Sequence, residues 1–179
     1  MPRLFIALEL PEPVKQALLQ LTEPMPGARW QSADQLHLTL RFVGEVAAGQ
    51  VEQVMAALTS LRFGGFTLTV KGVGWFGPPR RPLALWAGVS PQAPLRRLKQ
   101  QLDHLLAEAG IGPDRQGYKP HITLARLHGP QPRLEDYVQR HQGLRGPCFR
   151  VGHVSLFLSD LSEQGASYRV LGRYPCVEA

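Results

Sequence analysis

Tyr118-Lys119-Pro120-His121-Ile122-Thr123-Leu124-Ala125-Arg126 contains the tetrapeptide His121-Ile122-Thr123-Leu124, and nearly the same four residues stand earlier as His37-Leu38-Thr39-Leu40. Side chains alternate across a β-strand. As a strand, the later copy puts His121 and Thr123 on one face and Ile122 and Leu124 on the other. Around the earlier copy, Leu36, Leu38, Leu40 and Phe42 form an apolar face, while His37, Thr39 and Arg41 share a polar one. Pro120 pushes the residue before it to an extended backbone, so the lead-in Tyr118-Lys119 runs straight into the second strand. The pattern predicts two strands anchored by Leu and Ile in a core. Each presents His and Thr to a shared space.

The rest of the chain reads as alternating short strands and amphipathic helices. Arg3 to Glu9 reads as a first, buried strand. Helices are expected over Pro13 to Thr22, Gln50 to Leu61, Pro91 to Ala109 and Arg133 to Gln142. Further strands are expected over Ala28 to Trp30, Phe66 to Val73 and Leu83 to Val89. Phe149 to Ser159 and Ser167 to Pro175 read as a closing hairpin, and Gly74 to Pro82 as a loop. The order helix, His strand, helix, strand, strand recurs around both motifs. The expected fold class is therefore α+β and bilobal. Two antiparallel sheets related by a pseudo-two-fold flank a central cleft, with helices outside. With no linker or low-complexity segment, residues 1–179 make one two-lobed domain.

Composition narrows the partners. The 20 Lys and Arg against 14 Asp and Glu give a net charge of +6, and Lys15, Lys71, Lys99 and Lys119 are the only lysines. Arginine's planar guanidinium suits phosphate, so a polyanion such as RNA fits; an arginine-rich coding bias gives the same composition. Cys148 and Cys176 are too few for a disulfide scaffold and suit a reducing cytoplasm. The first ten residues resemble neither a signal peptide nor a membrane span. A soluble, monomeric, cytoplasmic chain is expected.

Two imidazoles flanking one substrate make a base–acid pair near neutrality. Thr39 and Thr123 can donate hydrogen bonds to non-bridging phosphate oxygens. The sequence has no metal-ligand spacing, no nucleophile elbow and no Gly-rich phosphate loop. Phosphodiester chemistry without a metal or other cofactor is what remains. A lone His-x-Thr is usually structural; two copies on apolar-backed strands are not readily fortuitous. Arg41 shares the His face by parity. Arg126 faces away from His121 in a regular strand and joins the site only if the strand breaks or bulges near Ala125. Lys119 has the parity of His121. Tyr118, Trp30, Phe42, Trp75 and Phe76 are candidate stacking groups, although parity assigns Phe42 to the apolar face. His104, His128, His141 and His153 read as solvated or structural, and a triad built on Ser155 is disfavoured.

The paired His-x-Thr-Leu motifs resemble the two-histidine phosphoesterase superfamily. Arg3-Leu4-Phe5-Ile6-Ala7-Leu8, Tyr118-Lys119-Pro120 and Ser155-Leu156-Phe157-Leu158-Ser159 are similar to its LigT-like branch, the RNA 2′,3′-cyclic phosphodiesterases also called 2′-5′ RNA ligases. The resemblance implies hydrolysis of a terminal RNA 2′,3′-cyclic phosphate to a 2′-phosphomonoester, reversible as ligation. By motif position it implies that His37 donates a proton to the departing 3′ oxygen, His121 accepts one from water, and Thr39 and Thr123 hold the phosphate. The residues alone do not say which His is which. A non-catalytic module that binds RNA ends, or a phosphodiesterase for a small cyclic nucleotide, would use the same side chains.

Overall fold

The computed structural model describes residues 1–178. In chain order these form β1 (Arg3–Glu9), α1 (Glu12–Leu19), β2 (Ala28–Trp30), β3 (His37–Glu45), α2 (Ala48–Leu58), β4 (Phe66–Phe76) and β5 (Ala84–Ser90). They continue with α3 (Ala93–Glu108), β6 (Ile122–Leu127), α4 (Leu134–His141), β7 (Arg145–Val151), β8 (His153–Ser162) and β9 (Gly165–Pro175). The expected single strand over Phe149 to Ser159 is two strands, split at Gly152. The expected loop from Gly74 instead begins as strand, because β4 runs on to Phe76. Gly74 pairs with Trp86 of β5, whose indole lies across it; a Cβ there would overlap the ring.

The strands form one sheet in the order β7-β4-β5-β6-β3-β1-β8-β9, with β2 on β6, and not the two sheets expected. The two halves join where β3 and β6 meet, at one antiparallel pair, Leu38 and Ile122. Each is the residue immediately after a motif histidine. Beyond that pair the edge of β6 is taken by β2, through Trp30–Ala125, Arg29–Arg126 and Ala28–Leu127. The two His strands are thereby neighbours at the centre of the sheet, and the cleft lies over their junction.

The helices cover the opposite face. α3 buries Leu95, Leu98, Leu102 and Leu106, a stripe at helical spacing, and packs against β3 and α2. α1 packs on β7 and α4 on β4. Leu36, Leu38, Leu40, Ile122 and Leu124 are all under 5% exposed in this core. Fully burying each such side chain stabilises the fold by about 1.5–3 kcal/mol, which fixes the strand faces and hence where His and Thr point.

Both motif strands depart from regular alternation at the same place. Register with the neighbouring strand slips at Leu40, between the Ile6–Arg41 and Ala7–Thr39 pairs. It slips again at Leu124, between Leu85–Ala125 and Trp86–Thr123. The leucine that closes each tetrapeptide is thus the extra residue of a β-bulge, which reverses the facing of the residues beyond it. Leu40 and Arg41 are buried consecutively, as are Leu124 and Ala125, and Phe42 and Arg126 emerge on the His face.

Candidate active site

The two histidines are held alike. His37 Nδ1 lies 2.7 Å from the carbonyl of Gln35, and His121 Nδ1 lies 2.6 Å from that of Lys119. In both cases the carbonyl belongs to the residue two positions earlier. A carbonyl can only accept, so each Nδ1 carries the proton and each Nε2 is left with a lone pair as an acceptor. His37 packs against Phe5, with centroids 4.9 Å apart, and against Tyr168 edge-on at 5.2 Å. His121 meets Phe76 edge-on at 4.7 Å. The rings have apolar walls and hydrogen-bonded backs.

Their surroundings favour the neutral form. Burial, with the charges of Arg126 and His121, brings the His37 pKa down to about 4. Burial and then Arg126 also lower that of His121. The two differ in one contact. His37 Nε2 accepts a hydrogen bond from the Thr39 hydroxyl at 2.9 Å, whereas His121 has no counterpart with Thr123 among the described residues.

His37, Thr39, His121 and Thr123 line one cleft of ≈ 620 Å³, together with Arg126. Arg126 is there because of the Leu124 bulge, the condition the sequence required. The same bulge geometry removes Arg41. Expected on the His face, Arg41 is instead 3% exposed on the core side. Its Nε donates to Asp103 Oδ1 at 2.8 Å, and its terminal nitrogens donate to the carbonyls of Gly112 and Phe42. Lys99 shares Asp103 at 2.7 Å and reaches Asp114 at 3.6 Å. Arg41 therefore ties β3 to α3 and the loop after it, and is not in the cleft.

Phe42, assigned to the apolar face from parity, is 57% exposed and lines the cleft with Phe76. Trp30 and Trp75 pack against the core. Tyr118 borders a side recess; its hydroxyl donates to the Thr39 carbonyl at 3.1 Å, bridging the two motif segments. The Lys119 side chain is exposed beside His121 but outside the central cleft; its carbonyl orients that ring.

Sequence reasoning did not find Arg29. It pairs with Arg126 across β2 and β6 and so points the same way, placing a second guanidinium in the cleft. It also donates to the Gln164 carbonyl, at the tip of the β8–β9 hairpin. Gly165 there adopts φ +109°, a backbone conformation that favours glycine, and its bare Cα leaves room for the Arg29 guanidinium, which a Cβ would displace. Alternation within Ala28-Arg29-Trp30 was visible, but not the strand it joins.

The other polar cluster is structural. Glu9 Oε2 accepts from His153 Nε2 at 2.8 Å, Ser155 Oγ at 2.7 Å and Arg173 Nε at 2.8 Å. Ser155 is fully buried and bonds to the carboxylate, not to an imidazole, so no triad forms. The Arg173 guanidinium, outweighing burial and aided by Ser155 and His153, brings the Glu9 pKa down to about 2. A depressed carboxylate stabilises the fold above its ordinary pKa and loses that contribution as pH falls through the folded value. Glu9→Gln is expected to lower unfolding stability near neutrality by about 2–3 kcal/mol. In urea titrations the wild-type advantage should shrink steadily from about pH 4.5 to about pH 2; an equal deficit at both ends would contradict the cluster.

A family of LigT-like phosphoesterases matches residues 8–86 and 88–168, with one tetrapeptide in each stretch. An RNA 2′,3′-cyclic phosphodiesterase of Aeropyrum pernix is 33% identical over 77% of this chain and 80% of its own. One from Thermus thermophilus is 33% identical over 96% of this chain and 89% of its own. Among solved structures, Escherichia coli LigT complexed with 3′-AMP superposes with a TM-score of 0.77, at 26% identity over 99% of both chains. The chain belongs to the family of LigT-like phosphoesterases.

Proposed function

We propose that this chain hydrolyses the 2′,3′-cyclic phosphate at an RNA 3′ end to a 2′-phosphomonoester, acting as a monomer in the cytoplasm. The observation that carries the reading is the matched pair of imidazoles in one cleft. Each has Nδ1 committed to a backbone carbonyl and Nε2 left for proton transfer. The relatives named for this reaction support the substrate. The two cysteines are free, which supports a reducing compartment. No described helix is long and apolar enough to cross a membrane.

In the mechanism, His121 Nε2 takes a proton from water as the oxygen attacks phosphorus. His37 Nε2 returns one to the departing 3′ oxygen. The assignment rests on the family resemblance, and the unequal contacts of the two rings are compatible with it. In the free site His37 is neutral and its Nε2 is occupied by the Thr39 hydroxyl. A bound phosphate anion favours the imidazolium and offers oxygens to both groups. Thr39 then turns its hydroxyl to the phosphate, and His37 becomes the acid. Thr123, Arg126 and Arg29 add donors where charge builds up on the non-bridging oxygens. A recess of ≈ 250 Å³ bordered by Phe42, Phe76 and Tyr118 suits a stacked base. The Escherichia coli relative is complexed with 3′-AMP, a nucleotide that carries such a base.

Turnover of a 2′,3′-cyclic mononucleotide in excess EDTA tests this. The expected product is the 2′-phosphate, formed at an undiminished rate. Binding without turnover would instead identify an RNA-end-binding module. Faster turnover of a small ADP-ribose cyclic phosphate than of an RNA end would replace RNA as substrate.

A further inference from the structure

Both motif histidines give Nδ1–H to a backbone carbonyl, but the two carbonyls are fixed by different means. Lys119 stands before Pro120, which restricts it to an extended backbone. Arg96 also donates to the neighbouring Tyr118 carbonyl at 2.9 Å. Gln35 stands before Leu36 and has no proline to restrain it. It also lies outside the sheet, because the pairing of β1 with β3 ends at Glu9 and His37. Its own side chain supplies the restraint. Gln35 Oε1 accepts from the Ser32 N–H at 3.0 Å, while the N–H groups of Gln35 and Leu36 donate to the Ser32 carbonyl at 3.0 and 3.1 Å. These bonds close Ser32 to Leu36 into a turn. The turn aims the Gln35 carbonyl at His37 Nδ1, 2.7 Å away.

The other end of the carboxamide reaches across the sheet. Gln35 Nε2 donates to the Ala166 carbonyl at 2.8 Å. Ala166 lies on β9, two residues before Tyr168, whose ring packs edge-on against His37 at 5.2 Å. One side chain therefore fastens both the turn behind the imidazole and the strand that walls it. His37 and Gln35 border the central cleft and also a second cavity of ≈ 530 Å³. An imidazole released from its carbonyl has that space to turn into.

We propose that Gln35 is a positioning residue for His37, holding the ring as its Nδ1–H tautomer with Nε2 turned to the cleft. The inference rests on the proposed hydrolysis, in which His37 Nε2 delivers the proton to the departing 3′ oxygen. Gln35 acts through the imidazole and not on the reacting atoms. A general acid works only when its ring nitrogen meets the leaving oxygen in line, and the partner of the other nitrogen sets that orientation.

The test uses the full chain with Gln35→Met, which keeps the side chain's length and removes both of its hydrogen bonds, and Gln35→Ala, which also removes its packing. Gln35 is half-buried and outside the core, so urea unfolding should show both variants folded at neutral pH. For a 2′,3′-cyclic mononucleotide, Gln35→Met is expected to lower kcat about tenfold and to change KM by less than about twofold. Ring-nitrogen NMR at neutral pH supplies the readout that a merely structural role would not move. Wild-type His37 should carry its proton on Nδ1, and Gln35→Met should show mixed tautomers at His37 alone. His121, held by the Lys119 carbonyl, should be unchanged. An unaltered kcat overturns the proposal, as does a lowered kcat with the His37 tautomer intact. A raised KM at wild-type kcat makes Gln35 a substrate contact and overturns it too. A wild-type chain without hydrolysis, or His37→Ala at wild-type kcat, sinks the underlying reading instead, and the tautomer spectra then decide on Gln35 alone.

Discussion

His37→Ala and His121→Ala are each expected to reduce kcat for a 2′,3′-cyclic nucleotide by about 10²–10⁴-fold, the usual contribution of a positioned general acid or base. Circular dichroism and unfolding midpoints should stay close to wild type, because both rings face the cleft while Leu38, Leu40, Ile122 and Leu124 carry the packing. A variant that keeps near wild-type kcat would remove that histidine from the mechanism. The pH profile adds a sharper check. In the mechanism proposed above, the free enzyme needs His121 neutral to accept a proton and His37 charged to donate one. Burial holds His37 down to about 4 and also lowers His121. The optimum of kcat/KM, which reports the free enzyme, is therefore expected on the acid side of the ordinary histidine range. The optimum of kcat should lie at higher pH, since bound phosphate stabilises the imidazolium. Arg126 is among the charges that push both rings down, so Arg126→Gln should move the kcat/KM optimum upward while weakening phosphate binding. Coincident wild-type optima, or a profile without a bell, would contradict the scheme.

Arg41→Ala is expected to cost about 1.5–3 kcal/mol of stability with little change in KM for the folded enzyme, and Phe42→Ala to do the reverse. The Arg41 guanidinium is 3% exposed, and its loss removes charge-assisted bonds to Asp103 and to the Gly112 and Phe42 carbonyls together with its packing. Asp103, half-exposed, keeps Lys99. Arg41→Lys should not rescue, because one ammonium cannot reach three acceptors in the directions the planar group serves. Phe42 contributes little to the core at 57% exposure, but a base stacked on it is worth about 1–3 kcal/mol, so KM should rise about tenfold or more. Urea unfolding and steady-state kinetics on the two variants decide it. The opposite pattern, an unstable Phe42→Ala and a stable Arg41→Ala with raised KM, is what an unbulged strand would give.

These neighbouring residues mark how far the sequence could be read. His-x-Thr-Leu twice over determined two strands, with His and Thr on one face and aliphatic side chains on the other, because a strand has a period of two and burying leucine is strongly favourable. That logic holds through Thr39 and Thr123 and then fails, since nothing in Leu40 or Leu124 announces a bulge. A bulge is set by register with a neighbouring strand, β1 for Leu40 and β5 for Leu124. Those partners lie far away in the sequence. For the same reason Arg29 was invisible as a cleft residue: its role comes from pairing with Arg126 across β2 and β6. The single continuous sheet likewise hangs on one pair, Leu38 and Ile122, that no local pattern encodes. The chain by itself determined the catalytic candidates, through spacing and side-chain chemistry. Only the tertiary structure decided which residues surround them, because strand pairing chooses the face each side chain takes beyond a bulge.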